Sequence, residues 1–438
     1  MIRAALLATL LAAPAAAAGV SRLEGHGGPV QSLARSPEGD RALTTSFDYA
    51  AGLWNLETGA LIRWLDGHDA AVTTGAFLPD GDRALTAGDD FDLILWRLSD
   101  GAALHRFQGH EGKVQRVAVS ADGRLAASAG WDGRIGLWDL AARERLAWLE
   151  GHSAGVNDVL FSRDGRTLWS AGQDGTVRRW SVPGRAFERV VAEHGFGVNL
   201  LALDEARGWL AYGALDGAVR VLDLDSGEPL ADVTAGRRPA LALALSPDGR
   251  LMAVGDGEGF VNVVSTADWE TVRDFRATPR GPVWALVFDA TGERVLTGGL
   301  DPFAQIWPLA EARSVAEDDD LRRPFQRSGL SNGERQFVRK CSICHTLTPD
   351  GGRRAGPTLH GVFGREAGAV EGYGYSDALA GSGIVWTAAT IGRLFEIGPD
   401  HVTPGSKMPM QRIAEARDRE DLIDWLRQAT APSEEEDR

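Results

Sequence analysis

Residues 109–140 read GHEGKVQRVAVSADGRLAASAGWDGRIGLWDL, and four features of this stretch recur along the chain at a fixed interval. They are a Gly-His pair (Gly109-His110), a small hydroxyl residue (Ser128), an aspartate (Asp132) and the tryptophan of Leu137-Trp138-Asp139-Leu140. His26, His68, His110, His152 and His194 succeed one another every 42 residues, the first four preceded by Gly. The same offsets give Thr44, Asp48 and Trp54, then Thr86, Asp90 and Trp96, then Ser170, Asp174 and Trp180. A period of this length marks an array of supersecondary units. Short apolar runs such as Leu95-Trp96 and Val159-Leu160-Phe161 lie between turn signals such as Pro79-Asp80-Gly81 and Pro247-Asp248-Gly249. Each unit therefore predicts several short strands.

Through Gly-His, the Ser/Thr, the Asp and Leu-Trp-Asn-Leu or Leu-Trp-Asp-Leu, about two thirds of the chain resembles WD-repeat propellers. The resemblance implies that His, Ser/Thr, Asp and Trp form a buried hydrogen-bonded set locking each blade, a structural role rather than a metal or catalytic one. A buried imidazole must be satisfied at both nitrogens, and an Asp in a tight turn is a ready acceptor. Later units depart from the pattern. The fifth keeps His194 and Asp216 but has Tyr212 and Leu222, and the sixth has Gly236, Val254, Glu258 and Val264. The seventh recovers Thr297, Asp301 and Trp307, with Thr278 where His is expected. Blades five and six are accordingly expected to be less firmly locked. Seven units close a ring, with the strand around Val20 to Leu23 completing the last blade and removing the exposed sheet edge.

Propellers of this type usually bind partners on the face carrying the residue before each turn Asp and the residue opening each innermost strand. Here these include Phe47, Asp89, Trp131 and Leu215, and Gln31, Asn157, Asn199 and Trp284. Trp131, Trp284 and Phe47 are the candidate anchors, for a protein partner or for the chain's own second domain, because tryptophan is enriched at binding hot spots.

After Leu309 the repeat stops, and residues 311–330 form a charged stretch containing Glu317-Asp318-Asp319-Asp320, expected to be a linker of up to ~65 Å when extended. Beyond it stands Cys341-Ser342-Ile343-Cys344-His345, the attachment pattern of haem c: two thiols that each add to a vinyl group and a His that ligates the iron. Chance, a redox Cys-x-x-Cys and half of a zinc site are the rival readings. These are the only cysteines, so no second pair exists for zinc.

From Ser331-Asn332-Gly333-Glu334, a capping-box pattern, the text is helical. Over about 100 positions it resembles a class I cytochrome c. The carrying motifs are Phe337 before the cysteines, Gly356-Pro357-Thr358-Leu359-His360-Gly361, Phe363-Gly364-Arg365, Tyr373-Gly374-Tyr375, Trp386, Pro404-Gly405-Ser406-Lys407-Met408-Pro409 and Asp421-Leu422-Ile423-Asp424-Trp425-Leu426. The resemblance implies one covalent haem c on Cys341 and Cys344, with His345 and Met408 as the metal ligands. Met410, His360 and His401 are the other donors in reach of the distal role. It implies that the Pro357 carbonyl orients His345, that Arg365, Tyr375 and Trp386 hold the propionates, and that Gly333, Phe337 and Trp425 join the first and last helices. Phe395 stands where relatives have a Tyr bonded to the Met sulfur, and Leu379 where they often have Asn. Lys340, Lys407 and Arg339, with Arg412, are expected to form a cationic rim that steers a redox partner.

At 438 residues the chain has room for two cores. Its net charge of −15 argues against a nucleic-acid binder or an anionic-membrane surface protein. Met1-Ile2-Arg3, the apolar run to Ala13 and Ala16-x-Ala18 read as a signal peptide over 1–18. A retained anchor is the alternative, but the run is short of the ~20 residues a spanning helix needs. No later segment spans. The sequence thus predicts a multidomain chain: signal 1–18, seven-bladed all-β propeller 19–310, linker 311–330, small all-α cytochrome c domain 331–430 and acidic tail 431–438. The expected function is a periplasmic electron carrier rather than an enzyme, its propeller serving to dock a partner. Two other readings stand: an oxidoreductase whose propeller binds a substrate or second cofactor, and a redox-sensing or assembly factor.

Overall fold

The structure, a computed structural model, describes residues 21–234, 238–278, 281–312, 329–342, 344–349, 354–375, 377–403, 406, 408 and 411–431. The signal segment, most of the linker, Lys407, Met410 and all but one residue of the acidic tail lie outside the described residues.

Seven four-stranded antiparallel sheets build the propeller. The innermost strands are Val30–Arg35, Val72–Phe77, Val114–Val119, Val156–Phe161, Val198–Asp204, Ala240–Leu245 and Val283–Phe288. Each neighbours the next, and the seventh returns to the first, so the ring closes. Closure depends on a strand from the N-terminal side, Arg22–Glu24, which pairs antiparallel with Phe303–Pro308 as the outer strand of blade seven. Leu23 is fully buried among Trp54, Leu296, Ala304 and Ile306, and its burial stabilises the clasp by about 1.5–3 kcal/mol. The ring is also stapled from inside. Asp158 of blade four accepts from Arg116 Nε of blade three (3.1 Å) and from the Leu201 amide of blade five (2.8 Å). Burial raises the Asp158 pKa, and the Arg116 charge opposes that rise.

The repeat residues form the expected locks. In blade one His26 Nδ1 lies 2.9 Å from Asp48 Oδ2 and His26 Nε2 lies 2.6 Å from Thr44 Oγ1, which also accepts from Trp54 Nε1 at 2.7 Å. Nδ1 thus faces a carboxylate acceptor, and the Thr44 hydroxyl, which also reaches the Gly52 carbonyl at 3.3 Å, ties Nε2 to the Trp54 indole. Blades two, three and four repeat this with the His to Asp separation at 2.8–2.9 Å. Burial alone would raise the carboxyl pKa of Asp90, Asp132 and Asp174, but bonds from the lock residues and backbone amides hold all three below the ordinary value. Blade five departs as its sequence implies: His194 bonds Asp216 through Nε2 (2.9 Å), and Tyr212 meets its ring edge-on. In blade seven Thr278 Oγ1 donates to Asp301 (3.4 Å) where the other blades use His.

The C-terminal part is helical, with α1 (Asn332–Lys340), α2 (Asp377–Ala380), α3 (Ala388–Ile397), α4 (Pro399–Val402) and α5 (Ala416–Ala429). Ser331 caps α1 by accepting from the Glu334 amide at 3.2 Å. Helices α1 and α5 cross at Gly333, where a Cβ would stand 2.0 Å from the Asp421 carbonyl oxygen, and Phe337 lies 4.9 Å from Trp425, ring to ring. Asn332 ties the crossing by donating to Asp418 (2.8 Å) and Asp421 (2.7 Å). Phe337, Val362, Leu394, Phe395, Leu422 and Leu426 fill the space between. Among the described residues no helix is long and apolar enough to cross a membrane.

Candidate functional site

Helix α1 ends at Cys341, and one further turn follows: the Cys341 amide donates to the Phe337 carbonyl (2.8 Å), and the Cys344 and His345 amides donate to the Cys341 carbonyl (3.0 and 2.9 Å). That turn brings two thiols and an imidazole to one wall of a cavity of about 1140 Å³, open mouth included. Met408 lines the same cavity. Burial pushes the Cys341 thiol up to about 12 and raises Cys344 as well, so neither is an activated thiolate. This disfavours a free redox pair. Burial also lowers the His345 pKa, and its Nδ1–H donates to the Pro357 carbonyl at 2.7 Å. The imidazole is thereby held neutral with its lone pair on Nε2, the form that ligates a metal.

The remaining expected residues converge here too. Arg365, Tyr375 and Trp386 line the cavity. Arg365 gives Nη1 to the His360 carbonyl (2.7 Å) and Nη2 to the Thr358 carbonyl (2.6 Å), which anchors its guanidinium at the wall with donors to spare. Phe395, 4 % exposed, and Leu379 face the same space as Met408, so at these places the wall is apolar where a Tyr and an Asn would offer polar groups. Gln411 stands at the same wall. One observation tests whether haem fits. A Cβ on Gly356 would stand 2.4 Å from His345 Cε1, so only Gly lets the chain pass beneath that imidazole. With paired thiols, a neutral imidazole and a thioether in one largely apolar cavity, the residues fit haem c. Lys340 lines the cavity and is half-buried, while Arg339 and Arg412 are exposed.

Two residues that sequence reasoning passed over complete the site. Tyr49, from the blade-one turn between Arg41–Ser46 and Ala50–Asn55, lines the cavity beside Cys344 and Tyr373. Arg354, next to Cys344, donates from Nη1 to the Gly27 carbonyl of blade one. Of the anticipated propeller anchors, Trp131 is 46 % exposed and donates to Asn157 (3.3 Å), and Trp284 packs on Phe47 at 6.3 Å. A signal for Tyr49 did exist. The residue after each turn Asp, or after Glu258 in blade six, is Gly133, Gly175, Gly217 and Gly259 in blades three to six, each with φ between 77 and 94°. Tyr49 holds φ 70° and Phe91 φ 71° at the matching places, a left-handed backbone costing a non-Gly residue about 1–3 kcal/mol.

The comparisons follow the same division. The family model described as WD domain, G-beta repeat matches residues 19–55, 59–97, 101–139, 143–181 and 269–308, passing over 182–268, where the locks are degenerate. The chain is also similar to cytochromes c. It is 42% identical to that of Gibberella zeae over 101 residues, 23% of this chain and 94% of that protein. The cytochrome c of Cochliobolus lunatus is 40% identical over 106 residues (24% and 97%), and that of Arabidopsis thaliana 41% over 98 residues (22% and 87%).

Proposed function

We propose, for a chain that belongs over about a quarter of its length to the cytochrome c family, that it is a one-electron carrier with a single haem c attached at Cys341 and Cys344. The observation that carries this reading is the convergence of Cys341, Cys344, His345 and Met408 on one cavity. Bound there, haem supplies reversible Fe(III)/Fe(II) chemistry. The chain's own residues set the conditions. Pro357 fixes the His345 ring and its tautomer through the 2.7 Å bond, which raises the basicity of Nε2. The Met408 thioether, a soft and neutral donor, would hold the iron, favour its ferrous state and keep a substrate from it. Phe395 and Leu379 exclude water. Arg365, Tyr375 and Trp386 face the cavity where the propionates would otherwise be buried anions without partners.

We further assign the mature protein to the periplasm, on the leader pattern of residues 1–18 and on the haem c motif, and the propeller to docking of a partner protein. Electron transfer is favoured over catalysis because His345 and Met408 would together hold the iron and leave no position on it for a substrate. The test is a spectroscopic redox titration of the full-length protein with Met408→Ala beside it. One reversible one-electron transition, with a weak long-wavelength sulfur-to-iron band that vanishes in the variant, is expected. A wild-type protein that purifies without covalent haem, or a ferrous form that binds carbon monoxide at equilibrium, would overturn the reading.

A further inference from the structure

The blade-one lock sets more than blade one. Asp48 Oδ2, held by His26, also accepts from the Gly27 amide at 2.8 Å, and Asp48 Oδ1 accepts from the Ala50 amide at 3.1 Å. One carboxylate therefore fixes the two segments that meet the C-terminal part: the Gly27 peptide, whose carbonyl receives Arg354, and the turn that carries Tyr49. The Tyr49 amide closes that turn onto the Ser46 carbonyl at 3.3 Å. At this place in the repeat the backbone is left-handed and four blades use glycine, whereas blades one and two place the strained aromatics Tyr49 and Phe91 there. The Tyr49 ring has a visible destination. Among the described residues Tyr49 is the one propeller side chain that lines the cavity of Cys344, His345 and Met408.

We propose that Tyr49 is a haem-site residue supplied by the propeller, a positioning residue that closes the Cys344 side of the cavity against water while the Arg354 to Gly27 bond holds the two parts together. This rests on the haem reading above. It gives the propeller a role inside the electron carrier as well as toward other proteins. The Cys344 side of the haem is covered by the chain's own blade one, and whatever displaces blade one exposes that side to solvent. A solvent-shielded haem of this type has the higher potential, because the extra charge of the ferric state is disfavoured away from water. Displacement of the propeller therefore lowers the potential. A protein bound on the blade-one face and the electron on the iron are linked through Tyr49.

The decisive variant is Tyr49→Gly in the full-length protein, because glycine suits φ 70° and its propeller should fold at least as well as the wild type. Three quantities are read: haem content, amide hydrogen exchange over residues 47–50 and 354–357, and the midpoint potential. With haem content unchanged, exchange at 354–357 should quicken about tenfold and the midpoint should fall. Tyr49→Phe, which keeps the ring, should restore both, and Phe91→Gly, which relieves the same backbone in blade two, should move neither. Exchange and midpoint identical to wild type in Tyr49→Gly would overturn the proposal while leaving the haem reading intact. Absence of haem from the wild type would overturn the haem reading, with exchange at 354–357 still deciding whether blade one covers that segment.

Discussion

Replacing Gly333 by Ala sets two opposing effects against each other. A helical position gains about 1 kcal/mol from Gly to Ala, and less in the first turn of α1, where Gly333 stands. Against that gain, the new Cβ would lie 2.0 Å from the Asp421 carbonyl oxygen and 2.6 Å from Trp425 Cβ. Both obstacles belong to the body of α5 rather than to the flexible end of a side chain, so the helices must separate by more than about 1 Å to reach ordinary contact. Overpacking of this kind costs about 1–3 kcal/mol. Separation also weakens the Phe337 to Trp425 ring contact, worth about 0.5–1.5 kcal/mol, and the two bonds from Asn332. The clash wins, for a net loss of about 2–3 kcal/mol. In urea, the transition followed by the far-ultraviolet helical signal should move down by about 1 M. That signal belongs to the C-terminal part because the propeller is built of strands. The transition seen by the propeller tryptophans should not move. A helical transition unchanged or raised in Gly333→Ala would refute the account of the α1 and α5 crossing.

Two further outcomes concern the propeller. Ser128 Oγ joins His110 Nε2 (2.7 Å) and Trp138 Nε1 (2.8 Å), so Ser128→Ala strands two buried groups and should cost about 2–4 kcal/mol. Thr297→Val in blade seven breaks the single bond from Trp307 (3.1 Å) and should cost about 1 kcal/mol, and equal urea midpoints for the two variants would contradict the lock reading. On acidification His152 acts first. Burial holds it below 6.5, so the unfolded chain takes up a proton that the folded one refuses, and stability falls as pH drops below 6.5. Asp90, Asp132 and Asp174 act next. Their folded pKa lies below 3.8, so their contribution is whole above 3.8 and is lost as pH falls through the lowered values. Propeller stability flat from pH 7 to pH 3 in a tryptophan-monitored urea series would disprove both assignments.

The repeat was legible because a hydrogen-bonded lock needs fixed residue types at fixed offsets: His110, Ser128, Asp132 and Trp138 can be read as a set before any fold is known. Blades five and six were read as weaker for the same reason. Tyr212 and Leu222 cannot take the roles of a Ser and a Trp. The C-terminal site was legible because attachment chemistry dictates Cys341, Cys344 and His345 within five residues. The direction of the propeller contact was less so. Trp131 and Trp284 are large side chains on the expected binding face, one donating to Asn157 and the other packing on Phe47, while the propeller ring at the cavity belongs to Tyr49.

The sequence by itself determined the seven-unit ring, the blade locks and the thiol and imidazole donors, since each rests on local spacing that short-range geometry enforces. Tertiary structure alone decided that Gly27 and Tyr49 meet Arg354 and Cys344 across some 300 residues of chain. It also decided that Met408, Phe395 and Gln411 share one cavity wall. Contacts of that range carry no periodicity, because nothing in the spacing of two distant segments records which faces the packing of their domains brings together.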